Sequence, residues 1–312
     1  IAMYKTFFGL RAQPFGATPD PRFLFLRPHT RETLACLQYG IAARKGFVVM
    51  TGEVGTGKTT LLRAALGTFA KEGIATSFLF NPRLDAMDFL EFVLTDFGIP
   101  PKARTKSSML LQLNSWLVER YRAHQLCVIA IDEAQNLSAD LLEEIRMLTN
   151  LETSSDKLVQ IILSGQPELE EMLVDPKLRQ LRQRISYWCK TKPLSSEETR
   201  DYILERLRIA GATEQVFLPA AVDLVYHYSQ GIARVINLLC ENSLIHAYGE
   251  QVKPIPEHIV EAVGIELNLV EHPFSISVPA MQSLMNHSMK NLAFNSNAPA
   301  AEGVTSPKEC EI

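Results

Sequence analysis

The pattern of apolar and polar positions changes period along the chain. From Phe47 onward, short apolar runs that are typical of buried strands alternate with stretches in which apolar residues recur at spacings of three and four. The predicted strands are 47–51, 75–80, 126–132, 157–164 and 186–191. The predicted helices between them are 59–71, 88–97, 107–123, 138–150 and 167–184. This alternation predicts an α/β fold, in which a parallel five-stranded sheet lies between two layers of helices.

The strand signals end after Leu194, and the pattern becomes helical. Ser195 and Glu198 fit a capping box, and Pro219 and Pro256 suit the first turns of later helices. The predicted helices here are 196–210, 218–229, 232–248 and 256–267. The sequence therefore predicts a small all-helical lid after the α/β domain and a mobile, Pro-, Asn- and Ser-containing tail. The predicted segments are an N-terminal segment 1–46, an α/β domain 47–194, a lid 195–268 and a tail 269–312.

The composition and net charge of the chain limit the classes of function that it can have. A chain of 312 residues with 46% hydrophobic content can bury the cores of one large and one smaller domain. Its formal charge of -4 creates no global basic field for nucleic acid or membranes. The five cysteines form no C-x-x-C pair, so we expect reduced thiols. With no long apolar run and no signal-peptide layout, we expect a cytoplasmic protein without its own membrane span.

A phosphate-binding loop follows the first predicted strand. The pattern G-x-x-x-x-G-K-[ST] is matched by Gly52-Glu53-Val54-Gly55-Thr56-Gly57-Lys58-Thr59. Glycines let the backbone N–H groups converge on phosphate oxygens at a helix N-terminus, where the helix dipole favours an anion. Lys58 supplies a positive charge, and the Thr59 hydroxyl is a hard ligand for Mg²⁺. Together with Thr60, these residues are predicted to bind ATP and Mg²⁺.

Two carboxylates end the apolar run 126–131. Asp132 is predicted to hold Mg²⁺ directly or through water, and Glu133 to polarise the water that attacks the γ-phosphate. An Asp-Glu pair after an apolar strand also suits a helix cap. The phosphate loop upstream favours the catalytic interpretation.

These motifs resemble those of AAA+ ATPases, and within that superfamily the ExeA/GspA-like ATPases of the general secretion pathway, which are related to the TniB and MuB transposition ATPases. The resemblance covers about residues 3–268. The residues that carry it are Gly52–Thr59, Asp132-Glu133-Ala134-Gln135, Gly231-Ile232-Ala233-Arg234, Phe7-Phe8-Gly9-Leu10, Pro14-Phe15 and Thr18-Pro19-Asp20-Pro21-Arg22-Phe23-Leu24.

The resemblance implies roles for two arginines. Arg184, just before the last strand, matches the arginine finger that acts on the ATP of a neighbouring subunit, and Arg182 is the alternative. Arg234 matches sensor 2, whose guanidinium reaches the phosphates and couples nucleotide state to lid position. A finger in trans implies an oligomer with ATP sites at the subunit interfaces.

Three polar residues have less specific signals. By the resemblance, Asn81 after the second strand is placed like the residue that restrains the catalytic glutamate until a partner binds. Gln166 lies where sensor 1 belongs, with Ser164 as its competitor. Asn81 and Gln166 also suit helix caps. Phe15 and the segment 39–41 are candidates to enclose adenine, although core packing explains such residues equally well.

Three functions fit an ATPase of this kind. The resemblance implies an ATPase that drives assembly of a secretion or cell-envelope complex, with a membrane or envelope protein as partner and a peripheral location at the inner membrane as one option. Secretion members carry a transmembrane helix and a peptidoglycan-binding region that this sequence lacks, so either a separate membrane partner or a different role is expected. The alternative is an ATP-dependent DNA-binding regulator of transposition, with a basic surface formed by Lys177, Arg179, Arg182 and Arg184. The third, a nucleotide-binding scaffold without turnover, is disfavoured by Glu133 and Arg184.

Overall fold

Five strands and twelve α-helices make up the part of the chain that the computed structural model describes, residues 3–16, 18, 20–80, 83–153 and 156–269. The strands are β1 (Phe47–Thr51), β2 (Ala75–Phe80), β3 (Cys127–Asp132), β4 (Gln160–Gly165) and β5 (Ile185–Lys190). The helices are α1 (Met3–Phe7), α2 (Pro28–Ala42), α3 (Lys58–Lys71), α4 (Ala86–Asp96), α5 (Lys106–Arg122), α6 (Ala139–Leu148), α7 (Pro167–Val174), α8 (Arg179–Arg182), α9 (Ser196–Ile209), α10 (Pro219–Ser229), α11 (Ala233–Glu250) and α12 (Glu257–Glu266). Short 3-10 helices span Pro21–Phe23, Ala134–Asn136 and Pro176–Leu178.

The sheet has the strand order β2-β3-β4-β1-β5, and every neighbouring pair is parallel. The predicted parallel five-stranded sheet is therefore confirmed. Because all strands run the same way, their carboxyl ends meet at one edge of the sheet. The order places the ends of β3, β4 and β1 side by side there, so the phosphate loop and the acidic pair become neighbours despite the roughly 80 residues between them.

Each face of the sheet carries its own hydrophobic core. Strand residues alternate between the faces, so Phe47 and Val49 join one core while Val48 and Met50 join the other. The first core also contains buried residues of α4, α5, α6 and α7, and the second contains those of α2 and α3. The helix–sheet–helix layering of the prediction is thus present.

The predicted helix over 167–184 is interrupted. Helix α7 ends at Val174, a 3-10 helix follows at Pro176–Leu178, and α8 begins at Arg179. Pro176 causes the break, because a residue before proline is disfavoured in the helical conformation and proline itself has no N–H to donate. Asp175 has φ -52° and ψ 130°, and its side chain caps the next turn by accepting from the N–H of Lys177 at 2.9 Å.

The chain divides into two compact units, residues 1–263 and 264–312. The first contains the sheet, its flanking helices, and the bundle of α9, α10 and α11. Of the second, the structure describes only residues 264–269, so nearly all of the predicted mobile tail 269–312 lies outside the described residues. None of the helices in the described ranges is long and apolar enough to cross a membrane.

The N-terminal residues pack on the helical region rather than on the sheet. The Tyr4 hydroxyl donates to Glu241 Oε1 on α11 at 2.6 Å, and the N–H of Arg11 donates to the carbonyl of Ala210 at 2.7 Å. Arg206 of α9 is buried and donates from Nε to the carbonyl of Pro14 at 2.6 Å. Phe15 is buried in this segment against Phe217, at a centroid separation of 6.4 Å, so core packing accounts for it.

Gly40 brings α2 unusually close to the sheet. A Cβ atom at this position would lie 2.5 Å from Cγ2 of Val48 and 3.3 Å from Cδ2 of Tyr187. Val48 has no free space to move aside, because it is fully buried in the core under α2. A side chain at residue 40 would therefore push the helix away from the core.

Two glycine-to-alanine substitutions should change stability in opposite directions. Gly40→Ala should lower the free energy of unfolding by about 1–3 kcal/mol through overpacking. Gly67→Ala should raise it by about 0.5–1 kcal/mol, since Gly67 lies inside α3 and a Cβ there meets no atom within 4 Å. Urea denaturation of both variants checks this. Equal effects of the two substitutions would contradict the close approach of α2.

Candidate functional site

The loop between β1 and α3 is shaped by close contacts with two other elements. A Cβ on Gly52 would lie 2.0 Å from Oγ1 of Thr191, which follows β5. Gly55 has φ +80°, and a Cβ there would lie 2.8 Å from Cβ of Arg234 on α11. Thr56 Oγ1 lies 2.7 Å from Thr191 Oγ1. The glycines at 52 and 55 are therefore required by contacts on both sides of the loop.

The N-terminus of α3 opens into this loop. Gly57 is the N-cap with φ +95°, and it provides no side-chain hydrogen bond to the helix. The first N–H groups of an α-helix have no partner within the helix, and the helix dipole makes this end attractive to anions. Together with the glycine-rich loop, the geometry fits phosphate groups, as the sequence pattern predicts.

Lys58 is buried within the loop itself. Its Nζ donates to the carbonyls of Gly52 at 2.7 Å and Glu53 at 3.0 Å. Burial lowers the pKa of this ammonium, while the nearby charges of Glu133 and Asp132 oppose that shift. The side chain is thus held at the loop by two carbonyl oxygens, beside the carboxylates of the acidic pair.

Asp132 is fully buried and both of its carboxylate oxygens accept hydrogen bonds. Oδ2 accepts from the hydroxyl of Thr59 at 2.6 Å, and Oδ1 accepts from the hydroxyl of Ser164 at 2.7 Å. The carboxylate thereby joins α3, β3 and β4 at the edge of the sheet. A threonine hydroxyl next to a carboxylate is a pair of hard oxygen ligands, which suits Mg²⁺.

Thr59 and Asp132 provide only two side-chain ligand groups, as expected for a metal ion whose other ligands are substrate phosphates and water. Among the described residues, no group of three or more His, Cys, Asp or Glu side chains could hold a metal ion. Mg²⁺ is usually bound by one or two carboxylates together with substrate phosphates and water, rather than by a protein cage. The predicted ligands Thr59 and Asp132 fit that mode of binding.

Glu133 turns out of the strand direction immediately after Asp132. Its backbone is left-handed, with φ 54° and ψ 40°, an uncommon conformation for a residue with a side chain. Its Oε2 accepts from Nε2 of Gln135 at 2.6 Å and from Nε2 of Gln166 at 3.0 Å. Two amide groups therefore hold one oxygen of the predicted catalytic carboxylate.

The two candidates for sensor 1 contact different carboxylates. Gln166 follows β4 and donates to Glu133, whereas Ser164 lies within β4 and donates to Asp132. Asn81, the third predicted polar residue, lies outside the described residues. The structure thus brings Gln166 and Ser164 to the site.

Arg234 lies at the contact between the helical region and the phosphate loop. Its backbone N–H donates to the carbonyl of Gly55 at 3.1 Å, and its side chain is exposed. The positive charge of Arg234 also contributes to lowering the pKa of Lys58. The predicted sensor 2 residue is therefore adjacent to the loop.

Arg184 does not join this cluster. Its NH1 donates to Thr149 Oγ1 at 2.8 Å, to Asn150 Oδ1 at 2.7 Å and to the carbonyl of Arg146 at 3.4 Å. These groups lie at the end of α6. Arg182, the alternative finger, is exposed on α8.

Three side chains of the site had no predicted role. Thr191 contacts the loop, and Glu170 of α7 accepts from the Thr51 hydroxyl at 2.5 Å and from Lys190 Nζ at 2.8 Å. Neither belongs to a recognisable motif, because the Thr51–Glu170 and Thr56–Thr191 contacts join residues 119 and 135 positions apart. Gln135 had one signal, its position two residues after Glu133 in the acidic motif.

Comparison with known proteins shows which family and which folds the chain resembles. Residues 41–173 match the AAA domain family. The fold is similar to that of the ORC2 protein from Aeropyrum pernix, with TM-score 0.64 and 18% identity over 87% of this chain and 74% of that one. Cdc6p from Pyrobaculum aerophilum gives TM-score 0.63 and 19% identity, covering 80% and 71% of the two chains. Residues 41–173 are therefore similar to an AAA domain, and the chain shares the fold of these two proteins.

Its sequence is similar to General secretion pathway protein A from Aeromonas hydrophila. The two are 40% identical over 247 residues, which is 79% of this chain and 45% of that protein. The chain therefore spans about half the length of this relative. The resemblance expected from the sequence motifs is confirmed, both for the superfamily and for the secretion-pathway ATPase.

Proposed function

We propose that the protein hydrolyses ATP with Mg²⁺ at the edge of the sheet where β1, β3 and β4 end. The observation that carries this proposal is the convergence of three groups on one point: the loop lysine, the Thr59–Asp132 oxygen pair, and the Glu133 carboxylate. These groups come from separate parts of the chain. Burial of a charged group costs free energy unless the group is paired or has a function, so a purely structural core would not be expected to contain all three.

Each residue then has a role in binding or in proton transfer. The backbone of Gly52–Thr60 binds the phosphates of ATP at the start of α3, and Lys58 leaves the loop carbonyls to contact the β- and γ-phosphates. Thr59 and Asp132 hold Mg²⁺, which when bound neutralises charge on the phosphate oxygens. Glu133 accepts a proton from the attacking water. Gln166 or Ser164, as sensor 1, contacts the γ-phosphate.

Arg234 and Arg184 are proposed to connect hydrolysis to motion. Arg234 belongs to the helix that donates a hydrogen bond to the loop carbonyl of Gly55, so a change in the loop is transmitted directly to the lid, residues 195–268. Arg184 is proposed to act on the ATP of a neighbouring subunit. Within one chain, Arg184 donates hydrogen bonds to groups at the end of α6 and, among the described residues, does not contact the ATP site of that chain. This placement suits a residue that acts on a neighbouring subunit.

The biological role that we favour is assembly of a secretion or cell-envelope complex. The support is the similarity to General secretion pathway protein A, and it concerns less than half of that protein. We propose a cytoplasmic oligomer that contacts a membrane or envelope protein at the inner membrane and changes that partner's arrangement as ATP is hydrolysed.

One observation favours a DNA-binding regulator of transposition as the second candidate. Lys177, Arg179 and Arg182 are all exposed between α7 and β5, and within the described ranges none of their side chains forms an ion pair. Unpaired cations on one segment suit contacts with DNA phosphates.

Lys58→Ala should abolish Mg²⁺-dependent ATP binding, because it removes the positive charge within a site built for an anion. Glu133→Gln should preserve binding and slow turnover by about 10²–10⁴-fold, the usual contribution of a general base. Calorimetric titration with ATP and a phosphate-release assay measure the two effects. Lys71→Ala, at the exposed end of the same helix, and the exposed Glu119→Gln are matched controls that should behave like the unaltered protein. Tight ATP binding by Lys58→Ala would contradict the proposed site.

Mixing two inactive variants tests the finger in trans. Arg184→Ala should lower kcat by about 10³-fold or more, as loss of an arginine finger does. When it is mixed with Lys58→Ala, some subunit interfaces combine an intact finger with an intact loop, so part of the turnover should return. Arg182→Ala is tested in parallel. Recovery with Arg182→Ala alone would move the finger to that residue, and recovery with neither would refute a finger from this segment.

Duplex DNA distinguishes the two roles. If the protein assembles an envelope complex, DNA should bind weakly and leave turnover unchanged. If it regulates transposition, DNA should bind more tightly with ATP than with ADP and stimulate turnover. Lys177→Ala or Arg179→Ala should then each reduce the salt dependence of binding by about one phosphate contact. Fluorescence anisotropy over a salt series measures this, and strong ATP-dependent binding at physiological salt would overturn our choice.

A further inference from the structure

Gln135 lies in the short 3-10 helix after β3, and both ends of its side-chain amide are used. Nε2 donates to Glu133 Oε2 at 2.6 Å, and Oε1 accepts from the backbone N–H of Gln166 at 3.1 Å. One amide thus connects the end of β3 to the start of α7. Its orientation is fixed by its partners, because the opposite orientation would place an oxygen against the carboxylate and an NH₂ against the N–H.

The backbone around Gln135 leaves space for this bridge. A Cβ on Gly165 would lie 2.9 Å from Oε1 of Gln135 and 2.8 Å from Cδ2 of Leu169, so a side chain at the end of β4 would displace the Gln135 amide. On the other side, the left-handed backbone of Glu133 starts the 3-10 helix that turns Gln135 back toward the carboxylate. Such a conformation costs on the order of 1–3 kcal/mol and persists where the surrounding contacts require it.

The bridge determines which oxygen of Glu133 is available. Gln135 and Gln166 both donate to Oε2, whereas we find no hydrogen bond to Oε1 among the described residues. Two donors on one oxygen restrict rotation of the carboxylate. The direction of Oε1 is therefore set by the two amides.

We propose that Gln135 is a positioning residue for ATP hydrolysis, which aims the Glu133 carboxylate at the attacking water and aligns Gln166 with it. This inference rests on the proposed role of Glu133 as the general base. Gln166 alone does not replace Gln135. Its contact with Glu133 is longer, and its own backbone is held by the Oε1 atom of Gln135.

The test compares the kinetics of Gln135 variants with an exposed glutamine elsewhere. Gln135→Ala should lower kcat by about 10- to 100-fold, as misplacement of a catalytic group does, while KM for ATP stays within about two-fold because binding does not use this amide. Gln135→Asn keeps the amide but shortens its reach, so kcat should be intermediate. Gln215→Ala, before α10, should leave both constants unchanged. Urea denaturation shows that the variants remain folded.

The pH profile separates positioning from a merely structural role. Gln135→Glu places a second carboxylate against Glu133, in a site that already contains Asp132 and the ammonium of Lys58. The acidic limb of the kcat profile should then move to higher pH, because two adjacent carboxylates resist simultaneous ionisation. A role in folding alone would lower the amount of active protein without moving the limb.

The outcomes distinguish this inference from the function on which it rests. If Glu133→Gln turns over ATP at the full rate, the proposed base is wrong and the positioning role is lost with it. If Glu133→Gln is inactive but Gln135→Ala is fully active, or if the acidic limb of Gln135→Glu is unmoved, the ATPase proposal stands and the role of Gln135 is refuted.

Discussion

The buried carboxylate of Asp132 is the interaction on which the site depends. A carboxylate with no exposure to solvent needs hydrogen-bond partners. Here Oδ2 accepts from Thr59 on α3, and Oδ1 accepts from Ser164 on β4 and from the backbone N–H of Glu133. These bonds fix the start of α3 relative to two neighbouring strands. Because Glu133 directly follows Asp132 in the chain, the end of β3 positions both a proposed metal ligand and the proposed base.

A second set of contacts holds the phosphate loop from outside. Arg234 of the helical region donates its N–H to Gly55, and Thr191 at the end of β5 contacts Thr56. The same linker continues to Leu194, whose N–H donates to the carbonyl of Gly231 at 2.9 Å. The loop is therefore in contact with the helical region and with the segment that leads to it. In the proposed function, this direct contact is the physical means by which a change in the loop reaches the helical region.

The N-terminal region connects the same two parts a second time. Residues 3–16 pack on α9 and α11, and α2 packs on the sheet. Between them Arg27, which is largely buried, forms an ion pair with Glu198 of α9 and donates to the carbonyls of Pro193 at 3.1 Å and Lys192. One arginine thus satisfies the linker carbonyls next to the helical region, where an unpaired polar group would be costly.

The sequence alone determined the features that depend on neighbouring residues: the five strands, the glycine-rich loop Gly52–Thr59, the acidic pair, and the likeness to AAA domains. These follow from the apolar period and from motifs whose residues are adjacent in the chain. Apolar periodicity also predicted one helix over 167–184, and that part was wrong, because Pro176 interrupts the helix. Only the tertiary structure decided that Ser164 and Gln166 donate to different carboxylates, that Gln135 connects the ends of two strands, and that Phe15 packs against Phe217 in the helical region. Each of these depends on which strands are neighbours, and strand order is set by long-range packing that no short stretch of sequence encodes.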